Sequence, residues 1–178
     1  SSPDLALHLK LANLWGGDEG TSLLLAALCS TLAAGVARRA EAGAGLAALI
    51  AAWYGVTALW LQPFAATPAD WLARAPWQGM NAHLMKIWML FHAPFVLAAY
   101  AWVLSLAGPA LSALSGGLAA WPSQARVRAR QAWTVLSAGI GFGMIWAFED
   151  VMYGQVWHWD PVQTAVFAVW CLLSAHLH

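Results

Sequence analysis

The stretch AWTVLSAGIGFGMIWAFEDVMYGQVWHWDPVQTAVFAVWCLLSAHLH (Ala132–His178) sets two long apolar runs on either side of a short segment of different character, GQVWHWDP (Gly154–Pro161). The runs read as membrane helices. The segment between them is too polar and too proline-bound for the middle of such a helix. It is also too aromatic for an ordinary solvent loop. Two tryptophans bracket a histidine, and Asp160-Pro161 follow at once.

The rest of the chain agrees with a membrane reading. Of 178 residues, 61% are hydrophobic and only 9% are charged, against roughly 25% charged in soluble domains. The formal net charge is zero, so no polyanionic partner such as nucleic acid is implied. The expectation is an all-α, polytopic membrane helical bundle embedded in the lipid bilayer, one membrane domain over residues 1–178. Ser1 is not an initiator methionine and the last apolar run stops at His178. The chain is therefore expected to be a fragment or a split part of a larger protein.

Five apolar segments are marked: Thr21–Ala37, Ala42–Leu61, Ile87–Leu106, Ala132–Ala147 and a fifth from Pro161 to His178. A bilayer crossing takes about 20 residues, so the fifth is short. Arg38 and Arg39 lie in one loop, and Arg126, Arg128 and Arg130 in another. Two helices separate these loops, so both fit one side, the cytoplasmic one by the positive-inside rule. The loops holding Trp15, Trp71, Trp77, Trp157, Trp159, His8, His83 and His158 then face the opposite, periplasm-like side. His92 falls about one turn into the third helix from that side. Gln62–His83, rich in proline and small residues, is expected to include a short helix lying on the membrane. Gly108–Ser123, rich in Gly, Ser, Ala and Pro, reads as a weakly structured connection.

Several residues are able to carry chemistry. His92, near a helix end, is either an iron ligand or a histidine hydrogen-bonded to a neighbouring helix. His176 and His178 lie two residues apart and face different directions, so at most one addresses a given site. Trp157 and Trp159 suit either an interfacial belt or stacking on a flat apolar ligand. Asp160 with Pro161 is a good helix start. Glu149 and Asp150 are expected to be solvated or paired acids. Asp18-Glu19 suit the start of the first long helix. Cys29 and Cys171 read as small apolar filler, since no CxxC or CxxCH is present. No Ser/His/Asp order, phosphate loop or HExxH box is present.

The motifs resemble those of the haem-handling cytochrome c biogenesis family, whose tryptophan-rich pattern runs G-I-x-L-G-x-W-W-A-Y-x-E-L-G-W-G-G-W-W-x-W-D-P-V-E-N. From Gly139 to Asp160 the match needs no gap, with Trp146, Ala147, Gly154, Trp157, Trp159, Asp160, Pro161 and Val162 on pattern positions. LHLKLANLWGGDEGTSLLL (Leu7–Leu25) is similar to Y-K-L-A-x-L-W-G-G-H-E-G-S-L-L-L. GMNAHLMKIWMLFHAPFVLAAY (Gly79–Tyr100) is similar to G-L-N-P-L-L-Q-x-P-x-M-x-I-H-P-P-x-L-Y-x-G-Y. The first of these two favours the CcmF-like haem lyase branch over the CcsA-type synthases. The chain departs from the patterns at Gln155, Val156, Gln163, Asp18 and Asp150, and at His158.

The resemblance implies a function. His92 matches the family's outer haem-ligating histidine, and His178 its transmembrane haem b ligand. Trp146, Trp157, Trp159 and Asp160 match its haem-binding aromatic segment. The second axial ligands are implied beyond His178. The implied activity is haem binding and presentation to apocytochrome c at the outer face of a bacterial inner membrane, as part of a cytochrome c haem lyase with other maturation subunits. The alternative expectation is a diverged, non-catalytic subunit of a larger respiratory or photosynthetic membrane complex.

Overall fold

A computed structural model describes residues 5–39, 41, 43–66, 69–70, 81–116, 121–150 and 154–178. Trp71 and Trp77 lie outside them, as does most of the segment expected to hold a membrane-surface helix. The described residues form helices and turns: α1 (Leu7–Ala12), α2 (Asp18–Arg38), α3 (Ala44–Leu61), α4 (His92–Leu104), α5 (Ala107–Gly116), α6 (Ser123–Glu149) and α7 (Pro161–Leu177). Helix α2, helix α3, the stretch Ile87–Gly116 and helix α6 are each long and apolar enough to cross a membrane. Helix α7, with 17 residues, reaches about 26 Å at 1.5 Å per residue, close to the bilayer core.

Helix α2 begins where Gly16-Gly17 end the preceding 3-10 turn, and Asp18 and Glu19 occupy its first turn. Negative charge is favoured there by the helix dipole. The N-cap residue, Gly17, has no side chain to cap the helix. Gly20 has a separate reason to be glycine. A Cβ there would stand 1.6 Å from the Leu14 carbonyl oxygen, so the preceding turn rests directly on the backbone of α2.

Helices α2 and α3 form a hairpin joined at Gly43, whose φ of +88° is open to glycine at little cost. Their contact is made of Cys29, Ala33, Ala47 and Ala51, with Ala101 of α4. Small side chains let helix backbones approach closely, the usual packing mode in a bilayer. Cys29 is thus apolar filler, as expected, whereas Cys171 is exposed on α7. The outward face of α3, with Leu49, Trp53, Val56 and Trp60, is exposed and apolar, which suits lipid contact.

The second core lies between α4, α6 and α7, with Val96, Ala99, Ala132, Leu136, Val166 and Leu173 buried together. Gly139 of α6 is pressed against α4: a Cβ there would meet Val96 Cγ2 at 3.0 Å.

Three expectations need correction. The third apolar segment is not one helix over Ile87–Leu106. A 3-10 turn (Ile87–Leu90) leads into α4, which stops at Leu104. Just beyond, the Ser105 hydroxyl donates back to the Trp102 carbonyl at 2.6 Å, and the Ser105 carbonyl accepts from Arg128 at 3.2 Å. As far as Gly116 the connection after Gly108 is not weakly structured either, because α5 covers Ala107–Gly116; residues 117–120 lie outside the described residues. Pro109 sits in the first turn of α5, where its missing N–H leaves no intrahelical bond unmade. Helix α6 also starts well before Ala132, so its first turns carry all three arginines.

The two arginine clusters meet. Arg128, only 7% exposed, donates from Nη2 to Glu41 Oε2 at 2.6 Å, and Arg39 lies 3.8 Å from the same carboxylate. Both basic loops therefore occupy one end of the bundle. At the other end the Trp15 indole donates to the Met89 carbonyl at 3.0 Å and the Trp88 indole to Glu149 at 2.7 Å. This is the two-sided arrangement that the charge pattern predicts.

Candidate functional site

Helix α6 presents two faces to two different sites. Along an α-helix residues advance by about 100° each. Gly139, Gly143, Trp146 and Asp150 form one stripe. Trp133, Ser137, Ile140, Gly141 and Met144 lie about a third of a turn round from it.

The first stripe receives His92. The imidazole Nδ1 lies 2.8 Å from the Gly139 carbonyl oxygen. A carbonyl only accepts, so Nδ1 carries the hydrogen and Nε2 keeps its lone pair in the neutral ring. The ring lies over Gly143, where a Cβ would stand 2.7 Å from Cε1 and 2.8 Å from Nδ1. Trp146 closes the flank edge-on, with ring centroids 5.6 Å apart and planes at 72°. The two readings of His92 are therefore compatible. It is hydrogen-bonded to a neighbouring helix, and that bond fixes the tautomer a ligand histidine requires.

A polar layer sits above this at the aromatic end. His83 Nδ1 is 3.0 Å from both carboxylate oxygens of Asp150, which is 3% exposed. The Trp146 indole donates to the His83 carbonyl at 2.9 Å. Trp88, bound to Glu149, stacks on Phe142 at 6.1 Å. Glu149 and Asp150 are thus paired acids, as expected. The role of His83 was not legible in advance. Its signal was the one-turn spacing of Trp146 and Asp150, which puts both within reach of one loop residue.

The second face of α6 forms a pocket with α7 and the segment before it. Its wall on α6 is Trp133, Ser137, Ile140, Gly141 and Met144. Phe167 and Trp170 of α7 face them, and Trp157 and Trp159 form the lip. Its volume is about 570 Å³, within the roughly 300–1,000 Å³ usual for cofactor sites. Gly141 leaves the wall flat, since a Cβ there would meet nothing within 4 Å.

Reciprocal hydrogen bonds set the pocket's width. The Trp133 indole donates to Ser174 Oγ, and the Trp170 indole to Ser137 Oγ, each at 2.8 Å. Each serine hydroxyl in turn donates to the carbonyl of the tryptophan four residues before it, again at 2.8 Å. The sequences WTVLS (133–137) and WCLLS (170–174) thus form a matched lock across two antiparallel helices.

At the lip, Trp157 and Trp159 stand edge to face at 5.5 Å, and Trp159 is 72% exposed. The Trp157 indole N–H is buried with no acceptor among the described residues. Asp160 caps α7: its Oδ1 accepts from the Gln163 N–H at 2.8 Å, while the Gln163 side chain accepts from the His158 N–H at 2.6 Å. This is a capping-box arrangement shifted by two residues. It gives Gln163 a structural role where the family pattern has Glu.

The remaining histidines separate. His176 packs edge-on against Trp121 at 5.2 Å. His178, exposed at the end of α7, shares by register the stripe of Trp170 and Ser174. It lies about 27 Å along the axis from Asp160, at the basic end.

The structure thus brings Trp157, Trp159 and Asp160 together and places Trp146 beside His92. It does not bring His92 to the wall of the tryptophan pocket. The pocket's size and aromatic walls suit a flat apolar ligand. His92, with Nδ1 committed to the Gly139 carbonyl, lies on the neighbouring face of α6.

A profile of the family described as "Cytochrome C assembly protein" matches residues 15–178. The chain belongs to this cytochrome c assembly family. One relative in the family is the cytochrome c-type biogenesis protein ccl1 of Rhodobacter capsulatus, 33% identical over 100% of this chain and 28% of its own length. Another is the probable cytochrome c-type biogenesis protein NrfE of Escherichia coli, 32% identical over 98% of this chain and 33% of its own. A third, the cytochrome c-type biogenesis protein CcmF of Pseudomonas aeruginosa, is 29% identical over 100% of this chain and 28% of its own. The chain therefore spans about a third or less of the length of these family members. No solved structure matches it with significance.

Proposed function

We propose that this chain binds haem b and presents it during cytochrome c maturation, at the aromatic, periplasmic end of a bacterial inner-membrane protein. The observation that carries the reading is the apolar pocket of about 570 Å³ under Trp157 and Trp159, in a chain of the cytochrome c assembly family. Tryptophan faces stack on flat π-systems. The exposed face of Trp159 leaves an edge of the pocket open toward an incoming apocytochrome c. Other cytochrome c maturation subunits are the expected neighbours in the membrane.

In this reading His92, held through Nδ1, would offer Nε2 to an iron on its own face of α6, outside the tryptophan pocket, and His178 is a separate metal-binding position at the opposite, basic end. Bound haem supplies the iron redox chemistry and the vinyl groups that react with cytochrome thiols. What the chain's own residues do is simpler. Gly139 orients His92, the Trp–Ser lock holds α6 and α7 apart at a fixed width, and Asp160 fixes the start of α7 beneath the tryptophans.

One observation favours a second reading, a membrane subunit that keeps the scaffold without catalysis: among the described residues no histidine lines the tryptophan pocket. Haemin titration of the purified protein tests between them. The haem reading predicts a Soret shift that is weakened in Trp157→Ala and in Trp159→Ala. A protein that leaves the haemin spectrum unchanged rules that reading out and leaves the scaffold subunit.

A further inference from the structure

We propose that His83 is a positioning residue for His92, acting through Trp146. The proposal rests on the reading of His92 as the residue that meets iron.

The geometry begins at Asp150. Its carboxylate is 3% exposed at the carboxy end of α6, and a buried charge needs a partner. His83 Nδ1 sits 3.0 Å from both of its oxygens. The same residue's main-chain carbonyl accepts from the Trp146 indole at 2.9 Å. Trp146 and Asp150 are one turn apart on α6. His83 therefore straddles that turn, with its carbonyl on one residue and its imidazole on the next.

The clamped indole is one wall of the His92 site, edge-on at 5.6 Å. Two further contacts are the Gly139 carbonyl and the bare backbone at Gly143. Those two belong to the helix main chain. Trp146 meets the ring with a side chain, and its angle is set by where the His83 carbonyl stands. The imidazole–carboxylate contact pins the loop Asn81–Leu84 that carries this carbonyl. Without it, Trp146 is free to turn, and the imidazole of His92 loses its flank.

The test uses the whole protein in lipid nanodiscs with ¹⁵N-labelled indoles and imidazoles, the Trp146 signal being assigned by its loss in Trp146→Phe. Without haem, His83→Ala is expected to speed hydrogen exchange at the Trp146 indole about tenfold, the protection of one ordinary hydrogen bond. It is also expected to shift the His92 Nε2 resonance. With haemin, the same variant is expected to bind about 10- to 100-fold more weakly, as supporting partners of ligand histidines do when removed. Asp150→Asn, which keeps size and removes the charge, is expected to move all three readings the same way by less, and it carries the test if His83→Ala does not fold. Unchanged indole exchange and an unchanged His92 resonance in the folded variant would overturn the proposal. Haemin binding that survives His92→Ala defeats the iron reading instead, whatever the indole does.

Discussion

The imidazole Nδ1 of His92 donates to the main-chain carbonyl of Gly139 at 2.8 Å, across the contact between α4 and α6. That bond decides which nitrogen is left to bind, and it is possible because α6 has no side chain at Gly143 beneath the ring. A methyl group there would lie 2.7 Å from His92 Cε1. Gly143→Ala is therefore expected to displace the imidazole and to cost about 1–3 kcal/mol of stability, the usual range for overpacking. Gly141→Ala is the control on the same helix: its methyl meets nothing within 4 Å, and the helix gains about 0.5–1 kcal/mol. Thermal unfolding in nanodiscs reads both. Equal effects would mean that the His92 contact does not discriminate between the two glycines.

The Trp–Ser lock makes a second prediction. Ser137→Ala and Ser174→Ala each remove the acceptor of one indole N–H. In a bilayer such bonds are worth about 0.6 kcal/mol on average and at most about 1.7 kcal/mol. Each single variant is expected to lose stability in this range. The double variant should lose both contributions and widen the pocket, seen as a red-shifted tryptophan emission. Single variants with wild-type stability and emission would show that the lock contributes nothing.

At the basic end, Glu41 neutralises Arg128, whose side chain is 8% exposed. Removing one partner of a buried pair typically costs about 3–5 kcal/mol, whereas replacing both with apolar groups is often close to neutral. Glu41→Ala is expected to be the more damaging change, and adding Arg128→Met to it to restore stability. Denaturant titration decides the order. A double variant less stable than Glu41→Ala contradicts the account.

The cap on α7 is tested by Asp160→Ala, expected to cost about 1 kcal/mol. Gln163→Glu keeps the side-chain oxygen that reaches the His158 N–H and is expected to be tolerated. Gln163→Ala removes that oxygen and should lower stability in the same direction as Asp160→Ala. The reading is local unfolding of α7 by hydrogen exchange.

Much of this architecture was legible in the sequence, for identifiable reasons. Apolar runs near bilayer length announce membrane helices. Asp160 followed by Pro161 announces a helix start because both cap chemistry and fixed φ act locally. The two arginine clusters announce one end of the bundle because charge resists burial. What stayed hidden depends on partners. Gly108–Ser123 looked loose by composition, yet Pro109 falls in a first turn and α5 forms. His92 and the Trp157–Asp160 segment looked like one site because both lie at the same end. Helix α6 separates them, and which of its faces each addresses follows from packing that no local pattern records. His83 was one of several histidines at that end until Asp150 and Trp146 were seen on either side of it.

Whether the chain holds haem b with His92 as a ligand is decided by pyridine haemochrome spectra of the purified protein, wild type and His92→Ala, each after loading with haemin and removal of the excess. The wild type is expected to give a b-type spectrum, and the folded His92→Ala variant a clear loss of haem. A folded wild type that retains no haem, or a variant that retains as much as the wild type, would contradict it.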